Sequence, residues 1–161
     1  MREDTEISIE GRLPKSLGLS RAELAAAALL FASLSARRCG ERFMSVAVVI
    51  QRDAESDAAH AAIMGVAGAT DVITQRYEAI PPEEPGVYGE LYVNADQALR
   101  CAKKFAGARS RRWTARDEFL LYVAHGMDHL SGADDQTPQD YARMRRRELS
   151  WLRIEKRIAS S

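Results

Sequence analysis

Two histidines four residues apart, His125 and His129, are the side chains whose types and spacing best suit metal chemistry in this chain. On a helix, side chains at positions i and i+4 leave the same face one turn apart, so both imidazoles point to one place. Gly132 follows at a position where a helix can end on a residue that tolerates positive φ. The chain can then turn back and bring Asp135 to the same point. The spacing predicts a divalent metal site, most often zinc, formed by His125, His129 and Asp135.

Counted from His125, these residues have the offsets of the zinc-protease consensus H-E-x-x-H-x-x-G-x-x-H. Gly126 stands where that consensus has its catalytic Glu, and Asp135 stands where it has its third His. A peptidase of this kind needs the Glu carboxylate to take a proton from the attacking water. A zinc peptidase or a related hydrolase is therefore the least favoured interpretation. The interpretation that needs no metal is a helix end with solvated histidines and an acidic turn.

The third ligand has a neighbour of the same type, Asp134. We prefer Asp135 because its offset of ten residues from His125 matches the position of the third ligand, but Asp134 is the alternative. Two imidazoles and one carboxylate form an accepted zinc set with an open position. The same set also suits manganese or iron, so the ligands predict one divalent ion rather than zinc alone.

The segment AHGMDHLSGADD, residues 124–135, resembles the signature H-G-x-L-H-L-x-G-x-D-H of the YbeY-type endoribonucleases, the rRNA maturation factors of bacteria. The matching residues are His125, Gly126, His129, Leu130, Gly132 and Asp134. Asp128 replaces a Leu of the signature, and Asp135 replaces its third His. The Gly that argues against a protease is the residue that this family has.

The resemblance extends over most of the chain. Residues 70–73 are similar to the start of a T-D-V-L-S-F-P stretch in the family, and residues 89–93 to its G-D-I-x-I strand. Met144 and Glu148 resemble a Met and a Glu four residues apart in its last helix. The family has an Arg, thought to act on the RNA phosphate, at the position of Met64. Arg76, in the neighbouring predicted strand, is our candidate for a substitute catalytic residue.

Periodicity and capping signals predict nine elements. Strands are expected at 6–10, 43–50, 70–78 and 87–94, and helices at 21–36, 53–64, 96–106, from 115 to the two histidines, and 138–158. The nearly continuous apolar run FMSVAVVI, residues 43–50, predicts a central strand. The fold class is α+β: a small mixed β-sheet of about four strands covered by about five helices, with a metzincin-like metal-binding helix and turn. We expect one domain spanning residues 1–161.

Charge is distributed unevenly although the net charge is zero. Residues 1–99 carry 9 Lys and Arg against 15 Asp and Glu, and the rest of the chain carries 14 against 8. Such asymmetry favours a polyanionic partner for the basic half, whereas solvated helix faces are the alternative. Arg145 and Arg146 are the candidate nucleic-acid contacts. Their run continues to Arg147, and together with Arg109, Arg111 and Arg112 it could line a phosphate track.

The composition also bounds the compartment. Cys39 and Cys101 have no CxxC spacing, which favours reduced thiols in a cytoplasmic protein. The first ten residues are charged and no apolar run approaches 18 residues, so we expect neither a signal peptide nor a membrane partner.

Two functional hypotheses follow. The first is a metal-dependent, single-strand-specific endoribonuclease acting on rRNA in ribosome biogenesis, with the small ribosomal subunit as a further partner. The second is a non-catalytic RNA- or ribosome-binding protein that keeps the ion as a structural clip, and the Met64 substitution motivates it.

Overall fold

The structure, a computed structural model, describes residues 5–109 and 113–161, with the side chains of residues 104–109 left aside. In chain order its elements are β1 (Glu6–Glu10), a 3-10 turn (Lys15–Leu17), α1 (Arg21–Cys39), β2 (Phe43–Gln51), α2 (Asp53–Met64), β3 (Val72–Tyr77), β4 (Val87–Asn94), α3 (Ala95–Arg109), α4 (Ala115–Leu130) and α5 (Pro138–Ala159). The side chains of Arg109, Arg111 and Arg112 lie outside the described part.

The predicted α+β class and element order are confirmed: the described residues form four strands and five α-helices. The 3-10 turn was not among the predicted elements. Helix α1 begins at a capping box formed by Ser20 and Glu23 and runs three residues further than expected. It ends at Cys39 because Gly40, at φ 75°, adopts the left-handed conformation that closes a helix.

The sheet has the strand order β1-β2-β4-β3. Strands β1, β2 and β4 are parallel, and β3 pairs antiparallel with β4 at the edge. Strand β2 is central, as the apolar run predicted, and Val46, Val48 and Ile50 of β2 belong to the core.

Helix α4 is the central helix of the described fold, since it packs against α1, α3, α5, β3 and β4. Its N-terminus is closed by a capping box in which the Thr114 hydroxyl accepts from the Asp117 N–H and the Asp117 carboxylate accepts from the Thr114 N–H. Twelve of its 16 residues are buried. A helix that is buried nearly all round is held by its neighbours on several sides, so the orientation of its last turn is fixed by packing.

Two glycines bring α4 unusually close to the sheet. A Cβ placed on Gly126 would lie 2.9 Å from Leu91 Cδ2 and 3.2 Å from Val72 Cγ2. On the strand side, a Cβ on Gly89 would lie 2.7 Å from Leu130 Cδ2. Each leucine therefore occupies the space that the opposite glycine leaves open. Position 126 faces the sheet core, so a longer side chain there would meet β3 and β4.

Among the described residues, no helix combines the length and the apolar content needed to cross a membrane.

Candidate metal centre

Three side chains meet where α4 ends and the chain turns back. His125 Nε2 and His129 Nε2 lie 3.0 Å apart, and Asp135 Oδ2 lies 3.5 Å from the first and 3.4 Å from the second. Gly132, at φ 91°, makes the turn that returns Asp135 to the two histidines. The structure thus brings together the three residues that the sequence nominated as ligands. Asp134 instead accepts a hydrogen bond from the Gln136 N–H at 3.0 Å, within its own turn.

The outer nitrogen of each imidazole has an acceptor that fixes its tautomer. His125 Nδ1 donates to Glu148 Oε1, and His129 Nδ1 lies 3.0 Å from the carbonyl oxygen of Ala133. With a proton on each Nδ1, both Nε2 atoms turn unprotonated lone pairs toward the same point. A carboxylate behind a metal-ligating histidine is a recurrent arrangement that orients the ring and raises its basicity.

Glu148, on α5, is fully buried. Its Oε1 accepts from His125, and its Oε2 lies 3.5 Å from Arg145 Nη1. Burial alone would lower the pKa of His125, but the hydrogen bond to Glu148 and the charges of Glu148 and Asp71 outweigh burial and raise it. The family resemblance points to Glu148, but nothing in the sequence predicts its contact with His125.

The geometry of the three donor atoms fits a divalent ion. Ligand atoms 2.0–2.2 Å from a tetrahedral ion lie roughly 3.3–3.6 Å from one another. The observed separations of 3.0, 3.4 and 3.5 Å are close to that triangle. Two facing imidazole lone pairs beside a carboxylate repel one another, so a cation between them relieves the repulsion. His125, His129 and Asp135 could therefore hold a metal ion.

The site opens to solvent on one side. The side chains of His129 and Asp135 are 26% and 31% exposed, and that of His125 is 15% exposed. A cavity of about 330 Å³ lies over the histidines; its lining residues are His60, Met64, Thr70, Val72, Ile73, Thr74, His125 and His129. Three protein ligands beneath an open cavity are typical of a catalytic site rather than of a closed structural one.

The end of α4 is held by a buried ion cluster that the sequence did not predict. Asp128 is fully buried; its Oδ1 lies 3.2 Å from Arg38 Nε, and its Oδ2 lies 2.8 Å from Arg147 Nη2. Asp128 is therefore a buried residue behind the site and not a solvated one. Its carboxylate joins α1, α4 and α5, one residue before the second histidine.

Arg76, the candidate substitute catalytic residue, is bound elsewhere. Its Nη1 donates to the Leu130 carbonyl at 2.9 Å, and its Nη2 donates to Glu41 at 2.7 Å. These contacts place the guanidinium at the end of α4, and it does not line the cavity over the histidines. Met64 does line that cavity and is 58% exposed.

The two candidate nucleic-acid contacts differ in environment. Arg145 donates to the Tyr141 hydroxyl at 3.1 Å, lies over the Tyr141 ring, and faces Glu148. Arg146 is exposed on α5. Arg145 thereby connects the surface of α5 to the carboxylate that orients His125.

Comparison with known proteins agrees with this description. A family described as endoribonuclease YbeY matches residues 15–154. A protein named endoribonuclease YbeY from Rhodopirellula baltica is 36% identical over 138 residues, which cover 86% of this chain and 66% of the relative. A protein of the same name from Chlorobium phaeovibrioides is 35% identical over 85 residues, covering 53% of this chain and 51% of the relative. The chain thus spans between half and two thirds of the length of these relatives.

A solved structure supports the fold alone. The solution structure of a Thermotoga maritima protein superposes with a TM-score of 0.59 at 21% identity, covering 95% of this chain and 93% of the other. Because the family match spans most of the sequence, including the helix and turn that carry the three ligand residues, this chain belongs to the YbeY endoribonuclease family.

Proposed function

We propose that this chain is a metal-dependent endoribonuclease that cleaves single-stranded RNA and acts in rRNA maturation and ribosome biogenesis in the cytoplasm, with the small ribosomal subunit as a partner. One observation carries the proposal: two imidazole Nε2 atoms and the Asp135 carboxylate converge under an open cavity. The names of the relatives point to RNA as the substrate. We further propose that residues 1–161 form one domain, because one cluster of buried side chains extends from Leu17 to Leu152.

The residues of the chain would share the work as follows. A zinc ion held by His125, His129 and Asp135 would supply Lewis-acid polarisation of a phosphate oxygen or activation of a water. Glu148 holds the proton on His125 Nδ1 and keeps Nε2 directed into the site. The open cavity leaves room for a phosphodiester on the solvent side of the ligands.

Arg76 enters this proposal as a positioning residue. It binds the Leu130 carbonyl, one residue beyond His129, and so holds the helix end that presents the ligands. A direct electrostatic role on the phosphate would require its release from both Glu41 and Leu130.

The second candidate is the non-catalytic RNA- or ribosome-binding protein with a structural ion. The uncharged, exposed Met64 side chain at the cavity favours it. The described residues that line the cavity include no Lys or Arg, and a lining without such a cation stabilises a phosphoryl transition state less well. RNA binding that survives His129→Ala, without cleavage by the zinc-loaded wild type, would select this candidate.

The test compares zinc content and RNA cleavage in the wild type, His125→Ala and His60→Ala. His60 lines the same cavity, but its Nδ1 lies 2.8 Å from the Gly68 carbonyl oxygen, outside the ligand set. We expect about one ion per chain and EDTA-sensitive cleavage of a single-stranded rRNA fragment in the wild type and in His60→Ala, and neither in His125→Ala. Cleavage that persists in metal-free protein would overturn the proposal.

A further inference from the structure

We propose that a single-stranded RNA leaves the metal centre along a groove on α5, where one base stacks on Tyr141 and the following phosphates bind Arg153 and Lys156. This inference rests on the proposed function for its substrate class. It adds a base-binding platform, which the ligand residues do not provide.

Tyr141 is an exposed aromatic residue on the first turns of α5, with 47% of its surface accessible. The Arg145 guanidinium carbon lies 5.5 Å from the centre of its ring, and Arg145 Nη2 donates to its hydroxyl at 3.1 Å. These contacts limit the rotamers of the ring while leaving much of it open. A prepositioned ring beside a guanidinium is a surface on which any nucleobase can stack.

Shared lining residues link the groove to the cavity over the histidines. The cavity over the histidines adjoins a second cavity of about 440 Å³, and Thr70 lines both. The second cavity adjoins a third of about 640 Å³, and Tyr141 and Arg145 line both of these. Tyr141 therefore borders both outer cavities, and Thr70 links the nearer of them to the cavity over the histidines.

The two outer cavities differ in chemistry. The second is polar, with Asp71, Gln97 and Glu118 in its wall, and could receive the edge of a base. The third has an apolar floor that includes Leu121, Leu149 and Leu152.

The rim of the third cavity is basic. Its charged residues are Arg145, Arg153 and Lys156. Arg153 is exposed; Lys156 lies 3.1 Å from Asp117 Oδ1 and 5.8 Å from the centre of the Trp113 ring. Apolar surface, aromatic rings and cations in one groove match a polyanion that carries flat rings, which is the chemistry of single-stranded RNA.

The experiment measures binding of a fluorescein-labelled oligoadenylate by fluorescence anisotropy, in EDTA so that cleavage does not interfere. Four proteins are compared: wild type, Tyr141→Leu, Tyr141→Phe and Tyr77→Leu. Tyr77 is a matched control because it is 44% exposed on β3 and does not line the three cavities. Because Tyr141 is exposed, we expect its variants to fold, and the thermal unfolding midpoint checks this.

We expect Tyr141→Leu to weaken binding about tenfold, because loss of one base-stacking surface costs roughly five- to hundredfold in affinity. Tyr141→Phe and Tyr77→Leu should stay within about twofold of wild type. Tyr141→Leu should reduce the affinity for oligouridylate less than the affinity for oligoadenylate, because uracil stacks more weakly than adenine. Arg153→Gln and Lys156→Gln should weaken both RNAs to a similar extent, as phosphate contacts do.

The inference is overturned if Tyr141→Leu binds oligoadenylate as wild type does, if only the charge variants matter, or if the wild type does not bind single-stranded RNA. Its failure is distinct from failure of the proposed function. If binding depends on Tyr141 but the zinc-loaded protein does not cleave RNA, the base-stacking groove is supported and the proposed nuclease activity is refuted. Cleavage without dependence on Tyr141 does the reverse.

Discussion

Replacing Gly126 by Ala tests whether the close approach of α4 to the sheet positions the metal ligands. The added Cβ would lie 2.9 Å and 3.3 Å from the two Cδ atoms of Leu91 and 3.2 Å from Val72 Cγ2. Leu91 is fully buried and cannot swing into solvent. Overpacking of this kind costs about 1–3 kcal/mol, whereas Ala gains about 0.5–1 kcal/mol over Gly in a helix. The two ranges leave a net loss of up to about 2.5 kcal/mol, and because Leu91 is enclosed we expect a loss of about 1 kcal/mol.

Urea denaturation of both proteins measures this difference, and the thermal midpoint should fall by about 2–4 °C per kcal/mol. The matched control places Gly126→Ala in a Leu91→Ala background, where both Leu91 methyls, at 2.9 Å and 3.3 Å, are absent and the Val72 contact at 3.2 Å remains. In that background Gly126→Ala should cost at least about 1 kcal/mol less in unfolding free energy. The remaining effect should be close to the stabilisation that helix propensity alone gives for Ala over Gly. A Gly126→Ala protein more stable than wild type would show that the helix has room at this position, and the packing argument would be wrong.

Three further predictions concern the ligands and the charges around the fold. Asp135→Ala should lose most bound zinc in metal analysis, while Asp134→Ala should keep it; equal loss in both variants would contradict the choice of ligand. Glu148→Gln should weaken zinc affinity about 10- to 100-fold in a chelator competition, because it removes the carboxylate that orients His125; unchanged affinity would refute this role. The hydrogen bonds of Asp53 with Arg100 lower its pKa from 3.8 to about 2, so its stabilisation is complete above about pH 4 and is lost as pH falls toward 2. The Asp53 side chain is 42% exposed, so between pH 4 and pH 2 wild type should lose only about 1 kcal/mol more than Asp53→Asn, measured by urea denaturation, and an equal loss would count against it.

The local part of this architecture is readable from the sequence because its causes are local. Thr114 and Thr137 each cap a helix by accepting from the N–H three residues later. Both partners of each cap are therefore close together in the sequence. Helical spacing and one glycine turn are enough to predict that His125, His129 and Asp135 meet. Sequence reasoning therefore predicted the convergence of these three side chains without tertiary information.

The supporting residues were harder to predict because their partners are distant in the chain. Glu148 contacts His125 across 23 residues, and Arg38 contacts Asp128 across 90. An aspartate beside a histidine near a helix end reads as solvated until the packing of α1 and α5 against α4 is known. The cost of burying the Asp128 carboxylate is offset by the guanidiniums of Arg38 and Arg147, which lie beside it.

Arg76 and Tyr141 show the same limit at the surface. Sequence spacing places Arg76 on a strand near the site, but it does not reveal that Glu41 and the Leu130 carbonyl take up its guanidinium. Tyr141 presents its ring from a helix, and its spacing of four residues from Arg145 was the available signal.

The buried contacts of Asp128 bear on the order in which ligands would let go of an ion. Helix ends ordinarily fray. Here Arg38 of α1 and Arg147 of α5 each bind one carboxylate oxygen of Asp128 and so hold the last turn of α4. Both imidazoles therefore keep their positions with or without a bound ion. Asp135, in contrast, lies on a short, partly exposed turn. We expect exchange of the ion to begin when the Asp135 carboxylate rotates away from it. The two histidines would then remain in place and could bind an ion again.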